Sequence, residues 1–374
     1  MQDGALLALA VKGILIAALP LLYVWRSHAP DKLRKLVWVT AFLTLDLIVF
    51  GSFTRLTDSG LGCPDWPGCY GHSNPLSAGE SIRAAETAQP TGPVTMGKAW
   101  VEMLHRYFAL AIGVLIIVLL ALALRRWMQD RSRPIVLPVA VLVWVCVQGA
   151  FGAWTVTQKL QPIFVTAHLL GGMLLLSLLV WFGLHESPEA PAGDVATLRG
   201  SGALALVALV AQIALGGWVS SNYAVMACPD FPLCHGALAP AGMDFGNGFT
   251  LWRDLGMTGG ADAQPIPFEA LVAIHWVHRW FALIAAGMVG WLAWRARGHP
   301  ATRRAGNWLA GFVVLQLLTG MSNVVFQWPL ALAVLHNGGA AAMLALVLVV
   351  NYRAIAASAR AATTPRRAQA SAAG

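Results

Sequence analysis

His105 is followed by Arg106, and the same step returns at His278 and Arg279. Gln148 and His168 return as Gln316 and His336 at a shared offset of 168 residues. Cysteines repeat as well: Cys63 and Cys69 stand in CPDWPGC, and Cys228 and Cys234 in CPDFPLC. The surrounding stretch IVFGSFTRLTDSGLGCPDWPGCYG (Ile48 to Gly71) aligns without a gap, 165 residues on, with IALGGWVSSNYAVMACPDFPLCHG (Ile213 to Gly236). A duplication that keeps four histidines and four cysteines in register points to two equivalent metal or cofactor sites.

The elements that must position these residues lie in a membrane. A hydrophobic share of 57% against 11% charged residues over 374 positions does not describe a soluble domain. Apolar runs of bilayer-spanning length occur nine times, at about 4 to 25, 37 to 55, 103 to 124, 135 to 156, 162 to 183, 202 to 221, 271 to 293, 306 to 326 and 331 to 352. Each is expected to be a helix, because a span in lipid must satisfy its own backbone. The segments holding Arg26, Lys32, Arg34 and Lys35, then Arg125, Arg126, Arg131 and Arg133, then Arg295, Arg297, Arg303 and Arg304, and the tail from Arg353, are basic. The long loops 56 to 102 and 222 to 270 are net acidic. The positive-inside rule therefore expects an integral cell-membrane protein with cytoplasmic basic segments and C-terminus, and cysteine loops outside. The loop 184 to 201, with Glu186, Glu189 and Asp194, dissents, but acidic residues weigh little in that rule. The net charge of +8 is thus a topology signal rather than a nucleic-acid-binding surface.

Four spans in each repeat make the halves parallel, related by an axis along the membrane normal. The expected fold is an all-α membrane protein: two pseudo-twofold-related four-helix bundles plus one extra N-terminal transmembrane helix. Its segments are 1–36 (accessory helix and basic loop), 37–185 (first bundle), 186–201 (linker), 202–352 (second bundle) and 353–374 (basic tail). The first span lacks a basic start and contains Lys12 and Pro20, so it reads as a retained helix rather than a cleaved leader.

His105, His168, His275, His278 and His336 fall inside spans, where an unpaired imidazole is costly. In each half one histidine lies near the outer end of the second repeat helix and one near that of the fourth. Two imidazoles converging from facing helices suit axial ligation of haem iron better than a tetrahedral zinc site. Arg106 and Arg279, beside the ligands, and Arg55 could pair with haem propionates, or snorkel to headgroups. Glu102 precedes His105 by three residues, whereas His275 stands at that place before His278. A carboxylate there could take protons beside a haem, or simply favour a helix N-terminus. The first half is thus expected to do chemistry and the second to hold an electron-transfer haem. The cysteine pairs read either as staples or as reversible thiol pairs. Cys146 reads as a small core residue, and Asp46 as a proton-path group or a packed acid.

Taken together, GSFTRLTDSGLGCPDWPGC, the run Glu102 to Arg106 (EMLHR), the later TAHLLGG around His168, and the repetition of this plan resemble the heme A synthase family over roughly residues 37 to 352. The resemblance implies oxidation of the C8 methyl group of haem O to a formyl group through hydroxylated intermediates, with water as oxygen source. It implies His105 and His168 as ligands of the substrate haem, Glu102 as the catalytic acid, and His278 and His336 as ligands of a haem b cofactor. Cys63 and Cys69 would be the functional external pair. It further implies haem O delivered by haem O synthase, an electron acceptor of unknown identity, a lipid environment and a homo-oligomer. The extra first helix and the second cysteine pair depart from the shortest members. A di-haem electron carrier of cytochrome b type is the competing reading.

Overall fold

The computed structural model describes residues 2–187, 193–253 and 266–372; Glu189 of the linker lies outside them. Among the described residues, nine helices are long and apolar enough to cross a membrane. They are α1 (Gln2–Arg26), α2 (Lys32–Leu56), α4 (Met96–Gln129), α5 (Val136–Thr157), α6 (Pro162–His185), α7 (Arg199–Ser221), α9 (Phe268–Arg297), α10 (Arg303–Val325) and α11 (Leu330–Ala372), with α3 (Gly79–Ala88) and α8 (Phe245–Gly248) in the long loops. Every expected span is present. At 25 residues α2 is about 37 Å long, more than the roughly 30 Å of a hydrocarbon core. Side chains of Asp31 and Thr95 cap α2 and α4 by accepting from the N–H groups of Arg34 and Lys98.

The two halves close in the same order. In the first, α2 packs on α4, α4 on α5, α5 on α6 and α6 back on α2; in the second, α7, α9, α10 and α11 make the matching ring. The rings meet through α2 with α11, α6 with α7, and α6 with α11, the set expected of a pseudo-twofold axis. One continuous core joins them, with Leu115 and Leu119 of α4, Leu179 of α6, Leu209 of α7, Leu292 of α9 and Val347 of α11 all buried. Helix α1 stands outside the rings, against α4 and α2. Its Lys12 reaches the first long loop, donating to Ser73 Oγ at 2.8 Å, while Tyr107 of α4 donates to Ser73 O at 2.6 Å. The accessory helix therefore buttresses the first cysteine loop.

Residues equivalent under the repeat touch at the axis. Arg55 of α2 donates to Ser220 O at 2.6 Å, and Tyr223 donates to Asp58 at 3.1 Å. Each pair is separated by 165 residues, the offset of the duplication. Two expectations are corrected. Cys146 is exposed on α5 rather than packed in the core, because this helix turns most of its surface outward. Asp46 is also exposed, four residues after exposed Phe42 on the outer face of α2, and so is not a packed acid.

Candidate functional site

Both cysteine loops are built alike. Cys63 is bonded to Cys69 and Cys228 to Cys234, and all four are buried. Behind each bridge the chain reverses in a two-residue turn. Cys69 and His72 exchange backbone hydrogen bonds at 2.8 and 3.0 Å, as Cys234 and Ala237 do at 2.8 and 3.1 Å. The turn places Tyr70 and Gly71, and likewise His235 and Gly236, at positive φ, which is why a glycine closes each one. Asp65 accepts from the N–H groups of Tyr70 and Gly71, and Asp230 from those of His235 and Gly236 at 2.7 and 2.8 Å. The Gly236 and His235 donors hold the Asp230 carboxyl below its ordinary range.

The arginine after each first histidine pins the loop to its helix. Arg106 donates to the carbonyls of Asp65, Pro67 and Gly68, and Arg279 to those of Asp230, Leu233 and Cys228. Both guanidinium groups are therefore committed to the loops rather than aimed at a ligand. Glu102, only 4% exposed, completes the first clamp: one oxygen pairs with Arg106, and the other accepts from Cys63 N–H at 2.8 Å. His275, 5% exposed, takes this place in the second clamp, its Nε2 lying 3.3 Å from Arg279. Since Thr95 already caps α4, Glu102 is not an end cap of that helix.

Below each clamp lies a histidine pair. His105 is nine residues into α4 and His278 ten into α9, while His168 and His336 are both six into α6 and α11. The helix α4 starts seven residues earlier than its apolar run, which brings the first pair to matching depth. In each ring the two histidines come from diagonally opposed helices. Glycines come from the other diagonal. A Cβ on Gly51 of α2 would sit 3.0 Å from the His105 ring, and one on Gly152 of α5 3.2 Å from His168. For Gly216 of α7 against His278 and Gly320 of α10 against His336 the figures are 3.1 and 3.3 Å. His278, His336, Gly216, Gly320, Gln212 and Gln316 line one cleft. Gln148 donates to His168 O at 2.6 Å and Gln316 to His336 O at 3.0 Å, tying both fourth helices to their neighbours. No group of three or more His, Cys, Asp or Glu side chains placed to hold a metal ion occurs among the described residues. Two imidazoles from opposite walls, with side-chain-free glycines between, fit a planar macrocycle that takes two axial ligands.

The sequence profile of the cytochrome oxidase assembly proteins (COX15-CtaA) matches residues 34–348. A heme A synthase of Shewanella oneidensis is 38% identical over 324 residues, covering 86% of this chain and 96% of the relative. One from a Caulobacter species is 30% identical over 359 residues, covering 88% and 97%. The chain belongs to the heme A synthase family. Arg55 keeps one buried donor without a partner. Its Nη groups reach Ser220 O and Asp58, its guanidinium lies 4.1 Å from the Tyr223 ring centre, and its buried Nε has no partner.

Several residues of the site escaped the sequence reading. The four glycines repeat at offsets of 165 and 168 residues, those of the cysteine loops and of the Gln148 and His168 pair, and could have been found that way. Lys12 with Ser73 left no signal, because that contact joins segments with no shared pattern, and the repeat that makes Arg55 and Ser220 equivalent does not by itself show that they touch.

Proposed function

We propose that this heme A synthase family member oxidises the C8 methyl group of haem O to the formyl group of haem A, through hydroxylated intermediates and with water as oxygen source. The observation that carries the reading is the double diagonal, with paired histidines across one diagonal of each ring and glycines across the other. His105 and His168 hold the substrate haem, and His278 and His336 hold a resident haem b. Haem b supplies, when bound, a reversible one-electron centre. Replacing two methyl hydrogens by one oxygen from water releases four electrons and four protons, so the first site needs a proton acceptor close by. Glu102, three residues from His105, is the carboxylate placed to take them, and its hydrogen bond to Cys63 N–H and its pair with Arg106 fix its position. The electrons pass to an acceptor outside the chain. Arg55, with its free Nε, is the candidate propionate contact.

The basic segments and C-terminus face the cytoplasm, and the disulfide-bonded loops face the outside, where such bonds persist. Haem O synthase supplies the substrate, and the lipid-exposed surface leaves room for a homo-oligomer. The test is mass spectrometry of the haems extracted from protein made in a host that produces haem O. Haem A or hydroxylated haem O beside haem b is expected. Unmodified haem b at both sites would leave a di-haem electron carrier instead.

A further inference from the structure

The ligand rings of the two halves are held differently. Thr319 Oγ1 lies 2.9 Å from His336 Nδ1, and its own proton goes to Leu315 O at 2.8 Å. The hydroxyl therefore meets the ring as an acceptor, Nδ1 carries the ring proton, and Nε2 keeps a lone pair for a metal. His278 has a comparable neighbour. The Gln212 amide nitrogen is 3.1 Å from His278 Nδ1, and the amide oxygen at its other end is buried without a partner. The same nitrogen also donates to His278 O at 3.2 Å, so the Gln212 side chain braces the His278 ring and its backbone together. At the matching positions of the first half stand Leu47 and Phe151, which have no hydrogen bond to offer. His168 Nδ1 is buried and has no partner.

A hydrogen bond to the far nitrogen of a ligating imidazole fixes its tautomer and orientation, makes it a stronger donor to the metal, and lowers the metal's reduction potential. A resident redox centre benefits from all of these. A site that must accept one haem and release another does not, because tight anchoring slows release. We propose that Thr319 and Gln212 are positioning residues that lock His336 and His278 for a permanently bound haem, and that Leu47 and Phe151 leave the first pair loose enough for haem exchange. The inference rests on the assignment of the two haem sites given above.

The test is a redox titration in a His105→Ala background, where only the second pair can hold a haem, with haem retention after extensive washing as a second readout. Thr319→Val keeps the shape and removes the acceptor; Thr319→Ser keeps the acceptor. The expected result is a higher midpoint potential and lower haem retention in Thr319→Val, wild-type behaviour in Thr319→Ser, and a larger shift when Gln212→Leu is added. In the reciprocal variant, Phe151→Thr in the otherwise native chain, haem should leave the first site more slowly. A Thr319→Val protein that binds no haem while Thr319→Ser binds it also supports the role. Haem b bound at unchanged potential in Thr319→Val, or an equal shift in both variants, overturns the inference alone. A His105→Ala protein with no bound haem b overturns the site assignment and the inference with it.

Discussion

Above the ligands the two halves are nearly copies, with the same disulfide, the same turn, the same aspartate and the same arginine clamp. At the ligands they part. The first half has a carboxylate in its clamp and unanchored rings below it; the second has an imidazole in its clamp and hydrogen-bonded rings. Duplication thus supplied a common scaffold, and a handful of substitutions, Glu102 for His275, Leu47 for Gln212 and Phe151 for Thr319, separates the sites. The lesson is that a repeated frame can keep the same paired histidines while a few side chains give the two pairs different surroundings.

The sharpest way to break the comparison is to remove ligands one half at a time. His105→Ala or His168→Ala should abolish conversion of haem O while haem b stays bound, and His278→Ala or His336→Ala should strip haem b. Extraction and quantitation of both haems checks this; loss of both from a single first-half variant would show that the sites are not separate.

The clamp comes next. Glu102→Gln keeps an acceptor for Cys63 N–H but removes the charge, and conversion should fall about 100-fold or more with haem content intact. His275→Gln, at the equivalent place, should leave the rate near that of the native protein. Equal effects in the two halves would make Glu102 a structural clamp only.

Smaller still is the effect of filling a cradle. Gly51→Ala puts a Cβ 3.0 Å from His105 Nε2, and Gly216→Ala one 3.1 Å from the His278 ring. Overpacking of this kind costs about 1–3 kcal/mol, so haem in the altered half should bind roughly tenfold to a hundredfold more weakly, and haem in the other half should be unaffected. Gly113→Ala, with open space around it, serves as the control. Haem dissociation kinetics read out all three.

The nine spans among the described residues, the repeat and the two pairs of in-span histidines were legible in the sequence, because hydropathy and period are one-dimensional signals. The duty of Arg106 and Arg279 was not. An arginine beside a ligand histidine reads equally as a propionate contact or a loop clamp, and only the path of the returning loop decides between them. Cys146 and Asp46 misled for a related reason: a polar or thiol residue within an apolar run carries no mark of which helix face it occupies. The ring anchors were hidden because Thr319 and Gln212 are ordinary residues in helices, significant only through a neighbour on another helix.

The smallest effect should surface in acid, in the second cysteine loop. Asp230 is held below its ordinary range by the Gly236 and His235 N–H groups, so its ionised form stabilises the second turn. A depressed carboxylate contributes stability that is present above its unfolded value, about 4, and lost as pH falls through the folded value beneath it. The second turn should therefore hold at neutral pH and loosen only below about pH 4. The first turn has the same aspartate contacts and the added Glu102 link from Cys63 to Arg106. Reduction of each disulfide by a phosphine, which works in acid, followed by mass-tagging of the freed thiols, measures both loops in one sample. Cys228 and Cys234 should become more easily reduced as the pH drops below about 4, and Asp230→Asn should make them more easily reduced at neutral pH too. A second bridge indifferent to both acid and Asp230→Asn would mean that the Arg279 clamp rather than the turn aspartate sets the stability of that loop.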